Sequence, residues 1–191
     1  MYQIFLLKWV QKMLQIYLEG KEYFNEITNT FVTVEGRTIS LEHSLFAISK
    51  WESKWKKSFI NTKEFTSEEI LDYIRCMTID EDVNPYLYLS VTNEIINIVV
   101  EYINSKQTAT TFSNINEPRS REIVTAEIVY YWMFSLNIPL ECEHWNFDKL
   151  TTLIRVCTIK NSPPKKMSKK ETRNQYRELN KARRNKYKTK G

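Results

Sequence analysis

Apolar residues alternate with polar ones near the start of the chain and then recur every three or four positions. The pattern predicts a short β ribbon followed by helices. Alternation holds at Leu14, Ile16 and Leu18 and again over residues 30–35, with Phe31, Thr33 and Glu35 on one face and Val32 and Val34 on the other. Gly36 is expected to supply a turn before Thr38 and Ile39, giving two or three antiparallel strands. From Ser40, read as a helix cap, the period becomes helical: Leu41, Leu45, Ile48, Trp51 and Trp55 share one stripe.

Four further helices are expected in the body. Thr66 and Ser67 open one through Ile70, Leu71, Ile74 and Met77, and residues 80–85 break it. Thr92 opens another that carries Ile95, Ile96, Val99, Val100 and Ile103. Residues 105–117 are polar, with 108–112 read as an edge strand or a loop. Pro118 suits a helix N-terminus, and residues 121–137 are apolar on nearly all sides, which predicts a helix at the centre of the core. Pro139 ends it, and Asn146 or Asp148 starts the next, over 150–159. After Pro163 and Pro164, Ser168 and Glu171 are spaced as a capping box for a last, highly charged helix. Its apolar residues, Tyr176, Leu179 and Tyr187, are too few to bury it alone, so it is either a solvated helix or an arm that folds on its partner.

The fold class expected is therefore mainly α with a small N-terminal antiparallel β ribbon, an α+β arrangement. Only 3 glycines occur in 191 residues, which disfavours Gly-rich phosphate loops and many tight primed turns. Cys76, Cys142 and Cys157 are odd in number and widely spaced, suiting reduced thiols more than a disulfide framework. No apolar run approaches the roughly 18 residues of a spanning helix, so no membrane role is expected. Residues 1–12 lack the basic n-region and small-residue cleavage site of a signal peptide, and are an accessory helix or an extension ahead of a start at Met13.

Charge divides the chain more sharply than hydropathy does. Residues 160–191 hold 13 Lys and Arg against Glu171 and Glu178, a net charge of +11, and the whole-chain value of +5 leaves −6 on residues 1–159. The expected organisation is an uncertain extension at 1–12, a helical body at 13–159 and a basic arm at 160–191. Such an arm seeks phosphate, an anionic protein surface or the acidic body of another copy. Lys165, Lys166, Lys169, Lys170, Arg173, Arg177, Arg183 and Arg184 are the candidate binding residues, for protein or nucleic acid. The plainer reading is a solubilising face, but the run of cations exceeds what solubility requires.

Candidate chemistry is sparse. Cys142, His144 and a neighbouring carboxylate are the nearest approach to a zinc site, without the paired short spacing of closed sites. Cys76 and Cys157 lie among apolar helix residues, where a thiol is usually inert packing. The acids Asp72, Asp80, Glu81 and Asp82, and the pair Glu141 and Glu143, read as solvated helix ends. Trp51, Trp55 and residues 130–132 (YYW) carry rings that can stack bases, yet their helical spacing favours packing. No Walker A, HExxH, GxSxG or EF-hand pattern occurs. The expectation is a protein without catalytic function, metal or cofactor.

Residues 41–45 (LEHSL), 49–55 (SKWESKW), 72–77 (DYIRCM), 121–133 (REIVTAEIVYYWM), 153–157 (LIRVC) and 161–167 (NSPPKKM) together resemble a family of small proteins from the tail-gene region of tailed bacteriophages, the tail assembly chaperones. The resemblance covers residues 13–191. It implies a non-catalytic protein that binds the tape-measure protein, a long helical polypeptide, and keeps it soluble until tube subunits polymerise around it. Tube subunits or a second copy are further partners, the host cytoplasm is the expected location, and a place in the virion stays open. The alternative is a phage nucleic-acid-binding or virion structural protein using the basic arm.

Overall fold

A computed structural model describes residues 13–112, 123–162 and 169–188 of the chain. The chain falls into two compact units, one up to Cys157 and one from Thr158 on. The first is α+β, as its hydropathy pattern predicts.

The unit opens with a nested antiparallel ribbon of four strands, more than the two or three expected. β1 (Leu14–Leu18) pairs with β4 (Arg37–Leu41) in the register Leu14 to Leu41 and Ile16 to Ile39, while β2 (Glu22–Asn25) pairs with β3 (Thr30–Thr33). Ile16, Leu18, Val34, Ile39 and Leu41 point inward and are buried, so the alternation read from sequence is the inner face of this ribbon. Gly36 has no positive φ and makes no left-handed turn. Its lack of a side chain serves close approach instead: a Cβ on Gly36 would lie 2.9 Å from the Gly20 nitrogen, and one on Gly20 would lie 2.3 Å from both the Gly36 nitrogen and the Val34 oxygen. The two glycines let the strands meet where pairing passes from β1 and β4 to β2 and β3. The outer hairpin is anchored by Tyr23, which stacks on Tyr86 with ring centroids 5.8 Å apart.

The first helix begins later than Ser40 suggests. Residues 40 and 41 continue β4, and Ser44 caps α1 (Leu45–Trp55), its side chain accepting from the Ala47 N–H. Leu41 thus leaves the helical stripe, because its backbone bridges to Thr78 across a strand-like contact. Trp51 is fully buried at the hub. Its ring meets Trp55, Phe59 and Phe65 at 5.3 to 6.1 Å, and its Nε1–H donates to the Glu69 carbonyl. α2 (Ser67–Met77) starts at Thr66 with the expected capping box to Glu69. A 3-10 turn over Pro85–Ser90 leads to α3 (Asn93–Asn104), capped by Thr92.

α4 (Ala126–Ser135) starts later than residue 121 and is not the core helix its apolar sequence predicts. Only Ala126, Val129 and Met133 of α4 are buried, while Tyr131 and Phe134 are 67% and 62% exposed. One face packs on α1 and the other is bare. Pro118 lies outside the described residues. Thr125 makes no side-chain cap; the cap comes from α1, where buried Glu52 accepts from the Ala126 N–H at 2.7 Å through one oxygen and from the Phe59 N–H at 2.7 Å through the other. A carboxylate at a helix N-terminus is favoured by the helix dipole. Even so, burial outweighs these bonds and raises the Glu52 pKa. Residues 105–112 form a loop pinned to α5 (Phe147–Asn161), since Asp148 accepts from the Gln107 N–H. A 3-10 turn over Leu140–His144 precedes α5.

Beyond the body, α6 (Lys169–Tyr187) is the helix expected for the basic segment. The proposed cap, Ser168, and the Glu171 side chain lie outside the described residues.

Replacing Gly20 by Ala drives a methyl group into backbone, so Gly20→Ala is expected to destabilise the fold by about 2 kcal/mol or more. Urea unfolding checks this, and an unchanged midpoint would refute the close-approach role.

Candidate functional site

Two features carry chemistry: the cationic helix and a cavity in the body. On α6, Lys170, Arg173, Arg177, Lys181 and Arg184 recur at intervals of three and four, the spacing of one helical face. At 1.5 Å per residue the stripe runs about 21 Å. All five residues are exposed. Arg183 lies off the stripe, toward the face of Tyr176, Leu179 and Tyr187, which are 63%, 47% and 66% exposed. Lys165 and Lys166 lie outside the described residues, as does the side chain of Lys169. Lys181 was not among the residues singled out from sequence, although its spacing places it squarely in the stripe.

The cavity lies between α2 and α3, with a volume of about 620 Å³. α3 presents a broad apolar face, yet only Val99 is buried on it, because the space beside Val100 and Ile103 is cavity rather than packed core. Phe59, Phe65, Tyr73 and Phe147 supply aromatic wall, and His43 closes one side. His43 is held by the backbone of residues 40–44: Ile79 N–H donates to the Ser40 carbonyl, Glu42 N–H to the Met77 carbonyl and Phe147 N–H to the His43 carbonyl.

His43 is 5% exposed, and its Nδ1 lies 2.5 Å from the Tyr73 hydroxyl. Phe59 and Phe147 ring the imidazole. Burial among them disfavours the charged form and lowers the His43 pKa from 6.5 to about 4, so the ring is neutral near pH 7. Desolvation likewise raises Tyr73, which keeps its proton. Next in sequence, Glu42 accepts from Tyr102 at 2.8 Å and from Asn146 at 3.0 Å, and desolvation raises its pKa despite both bonds.

The other sequence candidates are not gathered. Asp72 pairs with Lys54 and accepts from the Trp55 Nε1–H, whereas Asp80 accepts from the Ser40 N–H at 2.5 Å. Glu143 accepts from the Tyr130 hydroxyl and pairs with its neighbour His144 at 3.4 Å. Among the described residues no group of three His, Cys, Asp or Glu side chains could hold a metal ion. Burial raises the Cys76 thiol to about 11 and also raises Cys142, so neither is a ready thiolate. Trp51 and Trp55 belong to the core cluster, while Tyr131 stands exposed. No sequence motif marks His43; its partner Tyr73 is 30 residues away, and no local pattern joins them.

No family model, curated protein or solved structure matches this chain.

The sign of the His43 effect is definite. Its folded pKa is depressed, so its contribution is present above pH 6.5 and is lost as pH falls toward 4. Glu42 and Glu52, with raised values, act oppositely: their contribution is present at low pH and is lost as pH rises through their folded pKa values. Comparing wild type with the double variant His43→Phe/Tyr73→Phe separates the two. The stability difference should grow in favour of wild type by about 3 kcal/mol as pH rises from about 4 to 6.5. Urea titrations across that range test it, and a flat difference would contradict a buried neutral imidazole.

Proposed function

We propose that this protein is a non-catalytic assembly factor, a tail assembly chaperone of a tailed bacteriophage, whose basic arm captures a long helical partner such as the tape-measure protein. The observation that carries the reading is the α6 stripe: five exposed cations on one helical face, with exposed Tyr176 and Tyr187 along its edge. A partner helix with acidic residues next to an apolar seam matches both parts of that surface, as in helix-to-helix recognition. The acidic body supports the same division of labour, since it does not compete with the arm for anions. The motif resemblance supplies the identity of the partner. Host cytoplasm is the site of action under this reading.

Full-length protein co-expressed with the tape-measure protein should raise its soluble fraction and co-purify with it. The variant Arg173→Glu/Arg177→Glu/Arg184→Glu should lose co-purification at least about tenfold, as reversed charges now repel the partner. Equal recovery with wild type and variant would exclude the stripe as the capture surface.

A second reading, nucleic-acid capture, is favoured by the exposed rings of Tyr176 and Tyr187 close to the cations, because a base can stack where phosphates are neutralised. With five stripe cations engaged, log K against log salt should fall with a slope of about −4 to −5 on duplex DNA. Fluorescence anisotropy of a labelled duplex measures it. Salt-independent affinity, or affinity unchanged by Gln at Arg173, Arg177 and Arg184, rejects this second reading.

A further inference from the structure

The cavity beside His43 has the size and lining of a small-molecule site. At about 620 Å³ it falls within the usual range for such pockets, and its wall is aromatic and aliphatic. Lys63 and Asn104 line it from its exposed edge, whereas His43 and Tyr73 are the buried polar side chains in the wall. Tyr73 is 3% exposed, and among the described residues its hydroxyl bonds only to His43 Nδ1. A buried phenol must place its proton on an acceptor, so Nδ1 accepts and the imidazole hydrogen resides on Nε2. Among the described residues no hydrogen bond engages Nε2, and His43 lines the cavity. The arrangement presents one oriented N–H donor within an apolar chamber.

We infer that this cavity binds a small apolar molecule carrying a neutral carbonyl acceptor, a ketone, ester or amide, with the oxygen held by the Nε2–H of His43. Phe59, Phe65, Val99, Ile103 and Phe147 enclose the apolar body. At His43 a neutral acceptor is selected over a carboxylate, because the cation in the lining, Lys63, is exposed at the rim and burying an ion beside an uncharged imidazole costs far more than one hydrogen bond returns. Lys63 and Asn104, both exposed, form a polar rim through which the molecule enters. This ligand is independent of the arm and of the partner it captures.

A matched pair of probes tests the assignment on the full chain: 4-phenylbutan-2-one, which has the carbonyl, and butylbenzene, which does not. NMR titration should show saturable shifts at residues around the cavity. The ketone should bind about fivefold tighter, the factor one neutral hydrogen bond supplies. Two-bond proton–nitrogen correlations of the imidazole should show a protonated Nε2 in the free protein and move it on ketone binding. Val100→Trp, made at a residue 42% exposed on α3, should fill the cavity and abolish binding of both probes while circular dichroism stays unchanged. His43→Phe/Tyr73→Phe should retain apolar binding and remove the preference for the ketone.

Equal affinity for the two probes, an Nδ1-protonated ring, or binding that survives Val100→Trp would overturn the inference. So would failure of either probe to saturate. A leucine-bearing helical peptide that shifts the cavity residues where the ketone does not would assign the chamber to a protein side chain and equally overturn it.

Discussion

The body depends on one stretch of extended backbone, residues 40–44, which joins the ribbon to the first helix. It is stitched on one side to the end of α2, through Met77 and Ile79, and on the other to the start of α5, through Phe147. Each buried backbone group in such a position must be paired, so the stretch brings three elements distant in sequence into one place. Leu41, Glu42, His43 and Ser44 are all buried in consequence, two of them ionisable side chains in an apolar setting. The ribbon's inner face, the cap of α1 and the wall of the cavity all take their positions from it.

Around that spine the protein places polar groups where apolar ones would pack as well. Glu52 takes the role of a missing cap for α4, and Glu42 gathers Tyr102 and Asn146. Removing one partner from such a set leaves another polar atom buried and unsatisfied, which costs more than the bond itself contributes. These residues therefore specify how α1, α3, α4 and α5 meet. Glu69 does similar work in α2: it pairs with Lys57, closes the capping box at Thr66, and its carbonyl receives the Trp51 indole. The hydrogen bond from Lys57 is the largest of the effects that lower its pKa.

Much of the architecture is legible from local pattern. The caps at Thr66 and Thr92, the alternation through Ile16 and Leu18, and the helical character of the basic segment all rest on interactions within a few residues. Where reading fails, a distant partner decides. Leu41 fits the helical stripe by spacing but is drawn into β4 and toward Thr78. α4 is apolar except at Glu127 and Ser135, yet it lies on the surface of α1, because burying a helix all round requires neighbours on every side. Gly36 reads as a turn and serves a crossing, since the Gly20 backbone comes against it.

The candidate sites divide in the same way. The cation stripe is determined by sequence alone, because charge and helical period are local properties and fix which side chains share a face of α6. His43 is different. Nothing around residue 43 foretells a neutral imidazole against a phenol from residue 73 and rings from residues 59 and 147, or a cavity where α3 does not pack tightly. Burial and hydrogen-bond partners decide how a titratable group behaves, and both come from chain segments that only the tertiary fold brings together.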